Sequence, residues 1–176
     1  MNYEEKTLNK KLIYEGSIIK LEQHEVELPN GKRSSRDIIR HKGASAVVPI
    51  TAEGKILFVE QYRKPFEAVS YEIPAGKLDP GEDPEVCAAR ELEEETGYTA
   101  GSLTKILALH PWPAFADEVI HIYLARDLKP GQVHPDEDEF ISAFELTPEE
   151  ALKWIEDGRI NDGKTVSGVL YALRHL

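Results

Sequence analysis

The sequence predicts an α+β domain, and three observations lead there. Short Val/Ile-rich runs flank one stretch of strong helix formers, an Asn-Gly pair lies between two alternating segments, and two further helical stretches close the chain. Nothing in the 176 residues repeats and no long Gly/Ser/Pro linker interrupts them, so one domain is expected over 1–176.

The elements follow in order. The first 40 residues have strand character: Ser17 to Leu28 alternates loosely, Pro29-Asn30-Gly31-Lys32 is a hairpin turn, and Arg33 to Arg40 returns. Ala44 to Ile50 and Lys55 to Tyr62 form a second strand pair around Glu53-Gly54, and a short strand lies near Tyr71 to Ile73. Helical character then starts at Asp83, a suitable N-cap, with Pro84 at the first helical position and Gly97 as a left-handed stop. Strands are expected again at about Thr104 to His110, Val119 to Arg126 and Phe140 to Leu146. Thr147-Pro148-Glu149-Glu150 opens a second helix that stops at Gly158, and a third covers about Lys164 to His175.

Bulk chemistry narrows the function classes. Hydrophobic residues are 41% and charged residues 30% of the chain, a globular mixture. No run approaches the roughly 18 apolar residues of a membrane helix, and the polar first dozen residues contain no apolar core of a secretory signal. A single cysteine, Cys87, excludes an internal disulfide and suits a reducing cytoplasm. Net charge is −11, from 32 acidic and 21 basic residues, which repels nucleic acid and leaves membrane partners unexpected. A phosphorylated small molecule stays open, provided metal ions or placed arginines neutralise it locally.

The chemistry concentrates in Gly76 to Tyr98, GKLDPGEDPEVCAARELEEETGY. Glu91, Glu94 and Glu95 stand at i, i+3 and i+4, so they share a helix face within an arc of roughly 100°. Hard divalent cations take oxygen ligands, and Mg²⁺ commonly uses one or two protein carboxylates with substrate phosphate. Arg90 can hold one of these carboxylates with its planar fork, and the Gly76 to Gly81 loop can bring backbone carbonyls and Glu82 close. A random acidic helix is more often a solvated face. Here the spacing decides otherwise: Gly76, five residues, Glu82, seven residues, then Arg90-Glu91-Leu92-x-Glu94-Glu95-x-Gly97. Seven fixed matches at ordinary residue usage arise by chance on the order of 10⁻⁹ per start position.

That pattern resembles the complete signature of the Nudix hydrolases, with aromatic Tyr98 where an aliphatic residue is usual. The resemblance implies an α/β/α sandwich with a mixed sheet, an N-terminal antiparallel strand extension, and hydrolysis of a nucleoside diphosphate linked to another moiety. It implies Glu91 and Glu95 as metal ligands, Glu94 as ligand or water-positioning group, Arg90 as the residue orienting the glutamates, and the Ala75 carbonyl as a further ligand. Mg²⁺ is the implied ion, with Mn²⁺ possible.

Downstream, His110-Pro-Trp-Pro-Ala-Phe-Ala-Asp-Glu118 places Pro113 sixteen residues after Gly97. With Phe115 and Asp117-Glu118 it resembles the segment marking the ADP-ribose pyrophosphatase subfamily, although Trp112 and Ala114 replace the usual Ser and Gly. Glu60-Gln-Tyr-Arg63-Lys-Pro, Tyr71-Glu-Ile-Pro-Ala-Gly76 and Arg36-Asp-Ile resemble the same subfamily. By that resemblance Arg63 and Arg36 contact substrate phosphate, and Pro113 and Glu118 belong to the substrate segment. A loop glutamate acts in this subfamily as base or extra ligand; Glu137 and Glu139 both fit, with Glu139 ahead. A homodimer built through residues 1–43 is implied, with Tyr14 available to an adenine ring.

The resulting expectation is hydrolysis of ADP-ribose to AMP and ribose 5-phosphate. The competing expectations are another nucleotide sugar or dinucleotide (GDP-mannose, NADH), or a non-catalytic ADP-ribose sensor. The six histidines show no ligand spacing, and Cys87 reads as a packing residue. Gly158 and Gly163 read as bracketing a turn.

Overall fold

A computed structural model describes residues 2–132 and 140–175, and the chain separates into two compact units. The first unit comprises residues 1–43 and 110–119, the second 44–109 and 120–176.

The first unit is an antiparallel sheet of β1 (Lys6–Glu15), β2 (Ile19–Glu27) and β3 (Arg33–His41) in that order. Gly31 takes φ 78° in the turn that the Asn-Gly pair announces, and Leu28 N–H donates to the Lys32 carbonyl at 2.7 Å. β1 was not separable in the sequence because its pairing with β2 slips between Thr7 and Asn9 and between Leu12 and Tyr14. Such irregularities break the period of two. The 110–119 segment joins this sheet: Ile39 N–H donates to the Phe115 carbonyl at 2.7 Å, and Asp117 N–H to the Ile39 carbonyl at 3.2 Å.

The second unit carries the remaining elements. They are β4 (Ala44–Pro49), β5 (Ile56–Arg63), β6 (Ala68–Glu72), β7 (Ala75–Lys77), α1 (Pro84–Thr96), β8 (Tyr98–Leu109), β9 (Ile120–Pro130), β10 (Ile141–Leu146), α2 (Pro148–Glu156) and α3 (Gly163–Leu173). One sheet runs β10-β5-β6 and the other β7-β4-β9-β8. The second is mixed as expected, since β4 pairs parallel with β9 while its other pairings are antiparallel.

β4 explains the layering. Ala46 and Val48 point into a core with Ile122, Val169 and Ala172, while Val47 points into another with Ala88, Leu92 and Tyr123. Alternate residues of one strand, buried from Ser45 onward, therefore meet α3 on one face and α1 on the other, giving α/β/α layers. α3 lies close because it presents Gly168, where a Cβ would come 3.1 Å from Val48 and 3.2 Å from Ile122 and Ile73.

Three expectations need correcting, and one strand went unread. The expected pair of Ala44 to Ile50 with Lys55 to Tyr62 is split between the two sheets and meets only through an Ile50–Ile56 bridge. β8 begins at Tyr98, well before Thr104, because the turn-like Gly101-Ser102 pair is absorbed into the ladder with β9. β7 went unread since three residues, two of them Ala and Gly, carry no strand pattern. Gly163 does not bracket a turn; it is the first residue of α3, capped by the Asp162 side chain.

Candidate active site

The carboxylate helix forms where its local signals place it. The Asp83 side chain accepts from Glu85 N–H at 2.8 Å, Pro84 opens the first turn, and Gly97 closes it at φ 73°. Cys87, Ala88, Glu91, Leu92 and Glu95 are buried on it, and Glu94 is partly exposed. The i, i+4 pair Glu91 and Glu95 thus rides beside the apolar stripe that docks the helix on β4.

Backbone of β7 receives these two carboxylates. The Ala75 N–H donates to Glu95 Oε2 at 3.1 Å, and the carbonyl of the same residue is the backbone oxygen beside it that can serve a cation. Gly76 lies so close to the Glu91 carboxylate that any Cβ would overlap it. The Gly76 requirement is therefore steric.

Arg90 bonds three carboxylates at once. Nη1 donates to Glu91 at 2.7 Å and to Glu94 at 2.8 Å, while Nε and Nη2 reach Glu82 at 3.0 and 3.1 Å. The Arg90 hydrogen bond holds the Glu82 carboxyl at about 2, well below the usual carboxylate range, and Glu82 in turn raises Arg90. Glu82 is anchored further by accepting from Asp79 N–H at 2.9 Å. Cys87, buried beneath, has its thiol pushed up to about 12, chiefly by burial, and acts as the packing residue expected.

Arg63 ends β5 in the same unit. Its Nε and Nη2 donate to the two oxygens of Glu72, both at 2.7 Å. Burial works against an ionised Glu72, but Arg63 and Lys164 outweigh it and hold the carboxyl at about 2. Glu72, Lys164 and their partner Asp162 were missed in the sequence. One hint existed: an acidic residue, Glu72, lies next to the Ile-Pro of a stretch that otherwise reads as buried.

Arg36, Pro113 and Glu118 belong to the first unit. Arg36 lies on β3 and forks onto Glu5 at 2.8 and 2.6 Å, with Nη1 on Ser34 Oγ and the Ser35 carbonyl at 2.8 Å each. Pro113 lies between Trp112 and Phe115, whose rings stack at 5.9 Å. Glu118 faces His41 at 3.5 Å, and the neighbouring Asp117 is bound by Arg40 at 2.9 Å. Tyr14 is exposed and its ring lies over Gly16. Glu137 and Glu139 lie outside the described residues. Among the described residues no three carboxylate, histidine or cysteine side chains converge as a ready metal cluster; the candidate donors are two buried carboxylates, a third beside them and a peptide carbonyl. Oxygen donors of this kind fit a hard divalent ion that keeps part of its shell for substrate or water.

The comparisons with known proteins follow that geometry. The sequence matches the NUDIX domain over residues 40–167 and the nucleoside diphosphate sugar hydrolase N-terminal domain over residues 5–39. It is 52% identical over 170 residues to an ADP-ribose pyrophosphatase of Bacillus subtilis (strain 168), covering 96% of this chain and 92% of that protein. It is 51% identical over 180 residues to a methanol dehydrogenase activator of Bacillus methanolicus, covering 98% and 97%. Among solved structures, an ADP compounds hydrolase superposes with a TM-score of 0.87 at 25% identity, over 98% of this chain and 94% of that one.

Proposed function

Because the chain belongs to the NUDIX family of hydrolases, we propose that it hydrolyses the pyrophosphate of ADP-ribose to AMP and ribose 5-phosphate, with Mg²⁺ as its ion and Mn²⁺ as a substitute. The observation that carries this is the seating of Glu91 and Glu95 on α1 against bare backbone, at Gly76 and at the Ala75 N–H, with Arg90 aligning Glu82, Glu91 and Glu94. The name of the 52% identical relative supports the choice of ADP-ribose.

Glu91, Glu95 and the Ala75 carbonyl hold the metal, and Glu94 holds metal or positions the water. When bound, such an ion neutralises the pyrophosphate and makes a bound water easier to ionise. The protein's own part is geometric and electrostatic. Gly76 and the Ala75 N–H fix two carboxylates, Arg90 bonds Glu91 and Glu94, and Arg63 offers a cation to phosphate. Glu139 or Glu137 takes the proton. Arg36, Pro113 and Glu118 keep the substrate-binding roles that the resemblance gives them.

All 176 residues serve one hydrolase, a cytoplasmic homodimer in which β1 meets a second copy. All ten residues of β1 are exposed, including Leu8, Leu12, Ile13 and Tyr14, an apolar edge that nothing among the described residues covers. Among the described residues no helix is long and apolar enough to cross a membrane.

The test is a panel of ADP-ribose, GDP-mannose and NADH, with products separated by chromatography, on wild type and Glu95→Gln. We expect AMP and ribose 5-phosphate from wild type, loss with a chelator, and a rate at least about 100-fold lower in Glu95→Gln with melting unchanged. Faster turnover of GDP-mannose would overturn the substrate, binding of ADP-ribose without turnover in Mg²⁺ would indicate a sensor, and a folded Glu95→Gln with normal turnover would overturn the site.

A further inference from the structure

Arg63 is held in an unusual way for a half-buried residue at a strand end. The fork onto Glu72 uses its Nε and Nη2, and among the described residues Nη1 donates to nothing. The guanidinium is therefore fixed by one edge and open on the other. Its partner is almost fully buried, at 2% exposure, so the pair is not a passing surface contact.

Glu72 is itself fixed from behind. Lys164 Nζ, on the first turn of α3 and only 10% exposed, donates to Glu72 Oε2 and, at 2.9 Å, to Asp162 Oδ2. Asp162 Oδ2 also receives Thr165 N–H at 3.0 Å and Thr165 Oγ–H at 2.6 Å. Thr165 Oγ1 then accepts from Ile73 N–H at 2.9 Å, the residue next to Glu72. Two cations and two carboxylates balance, and the ring of contacts closes on itself across β5, β6 and the start of α3.

A fold that needed only stability at this place could fill it with apolar side chains, which often cost nothing and sometimes gain. Breaking such a buried network by removing one partner is what costs. The arrangement makes sense if the direction of the Arg63 fork matters. From one end of the segment Glu72 grips Arg63; three residues on, the Ala75 N–H grips Glu95, whose charge also helps raise Arg63.

We propose that Glu72, locked by Lys164, is the positioning residue for Arg63, turning the free Nη1 edge of the guanidinium toward a phosphate of the nucleotide substrate. This rests on the reading of Arg63 as a phosphate contact. Neither Glu72 nor Lys164 touches the reacting atoms; they act through the orientation of one fork, which a bidentate partner fixes in a way a single bond does not.

A mutant cycle tests it on whichever substrate of the panel turns over fastest. Arg63→Ala raises KM by roughly 10-fold or more, as loss of a charged phosphate contact does. Glu72→Gln keeps shape but loses the second acceptor, and raises KM by about 10-fold with kcat within about threefold. Placed on Arg63→Ala, Glu72→Gln adds nothing further, and Arg63→Lys, which has charge but no fork, is equally insensitive to it. A KM penalty for Glu72→Gln that persists in full without Arg63 would mark a merely structural residue and overturn the proposal, as would an unchanged KM in Glu72→Gln alone. Both outcomes leave the Arg63 contact standing. An unchanged KM in Arg63→Ala removes that contact itself, and the proposal with it. If Glu72→Gln does not fold, Lys164→Met takes its place in the same cycle, with an expected rise of about threefold in KM that again vanishes on Arg63→Ala and that overturns the proposal if it persists there.

Discussion

At Gly76 the first atom of any side chain would land on the Glu91 carboxylate. Gly76→Ala is therefore expected to push Glu91 off its seat, costing about 1–3 kcal/mol of overpacking and on the order of 100-fold in turnover. Melting and kcat measured together check this; full activity would mean that Glu91 does not need its seat. At this scale the sequence was informative where function is written as spacing. Glu91, Glu94 and Glu95 could be named because a helix converts intervals of three and four into one face, and Gly76, Glu82 and Arg90 because their spacing resembles the family signature. The partnerships could not. Arg90 reaching back to Glu82, or Lys164 reaching Glu72 across 92 residues, depends on how elements pack and leaves no periodic trace.

Helix ends were legible for the same local reason. Asp83, Pro84 and Gly97 act within a few residues of where they stand, and Thr147 with Glu150 forms a reciprocal capping box at the head of α2. Thr147→Ala should cost about 1 kcal/mol and lower the melting temperature by roughly 2–4 °C, since it leaves the Glu150 N–H without its side-chain acceptor. Thermal unfolding with unchanged activity is the expected record. Strands were harder. Gly101 reads as a turn, yet in β8 it is what leaves room for Asp127 of β9, which sits at φ 55° with its Cβ 2.7 Å from where a Cβ on Gly101 would be. Only the partner strand explains that glycine. β1 has the opposite problem, a strand whose slips hide it from a two-residue count.

For the whole chain, layers and the mixed sheet followed from the family resemblance and the strand-helix pattern, whereas the division into two units did not. Segment 110–119 lies far along the sequence from the strands it joins, and its backbone bonds to Ile39 carry no pattern of their own. The molecule's acid stability can be predicted from two carboxyls. Glu72 and Glu82 are held at about 2 in the folded chain, against about 4.3 for a free glutamate. The folded state therefore binds fewer protons than the unfolded one over that interval. Their stabilisation is complete above about pH 4.5 and is lost as pH falls toward 2. A denaturant midpoint that drops across this window, and drops less steeply in Glu72→Gln, is the expected measurement; equal slopes would remove Glu72 from the account.

The stretch from Glu72 to Ala75 also has a property of length. Its two ends hold Arg63 and Glu95, and three residues of chain cannot separate their Cα atoms by more than about 11 Å. Pro74 removes one backbone freedom between them. The gap between the proposed anion contact and the proposed metal ligand is thus gauged by covalent bonds rather than by the mood of a loop. A single residue inserted there would reset the gauge by roughly 3 Å while leaving every side chain of the box in place.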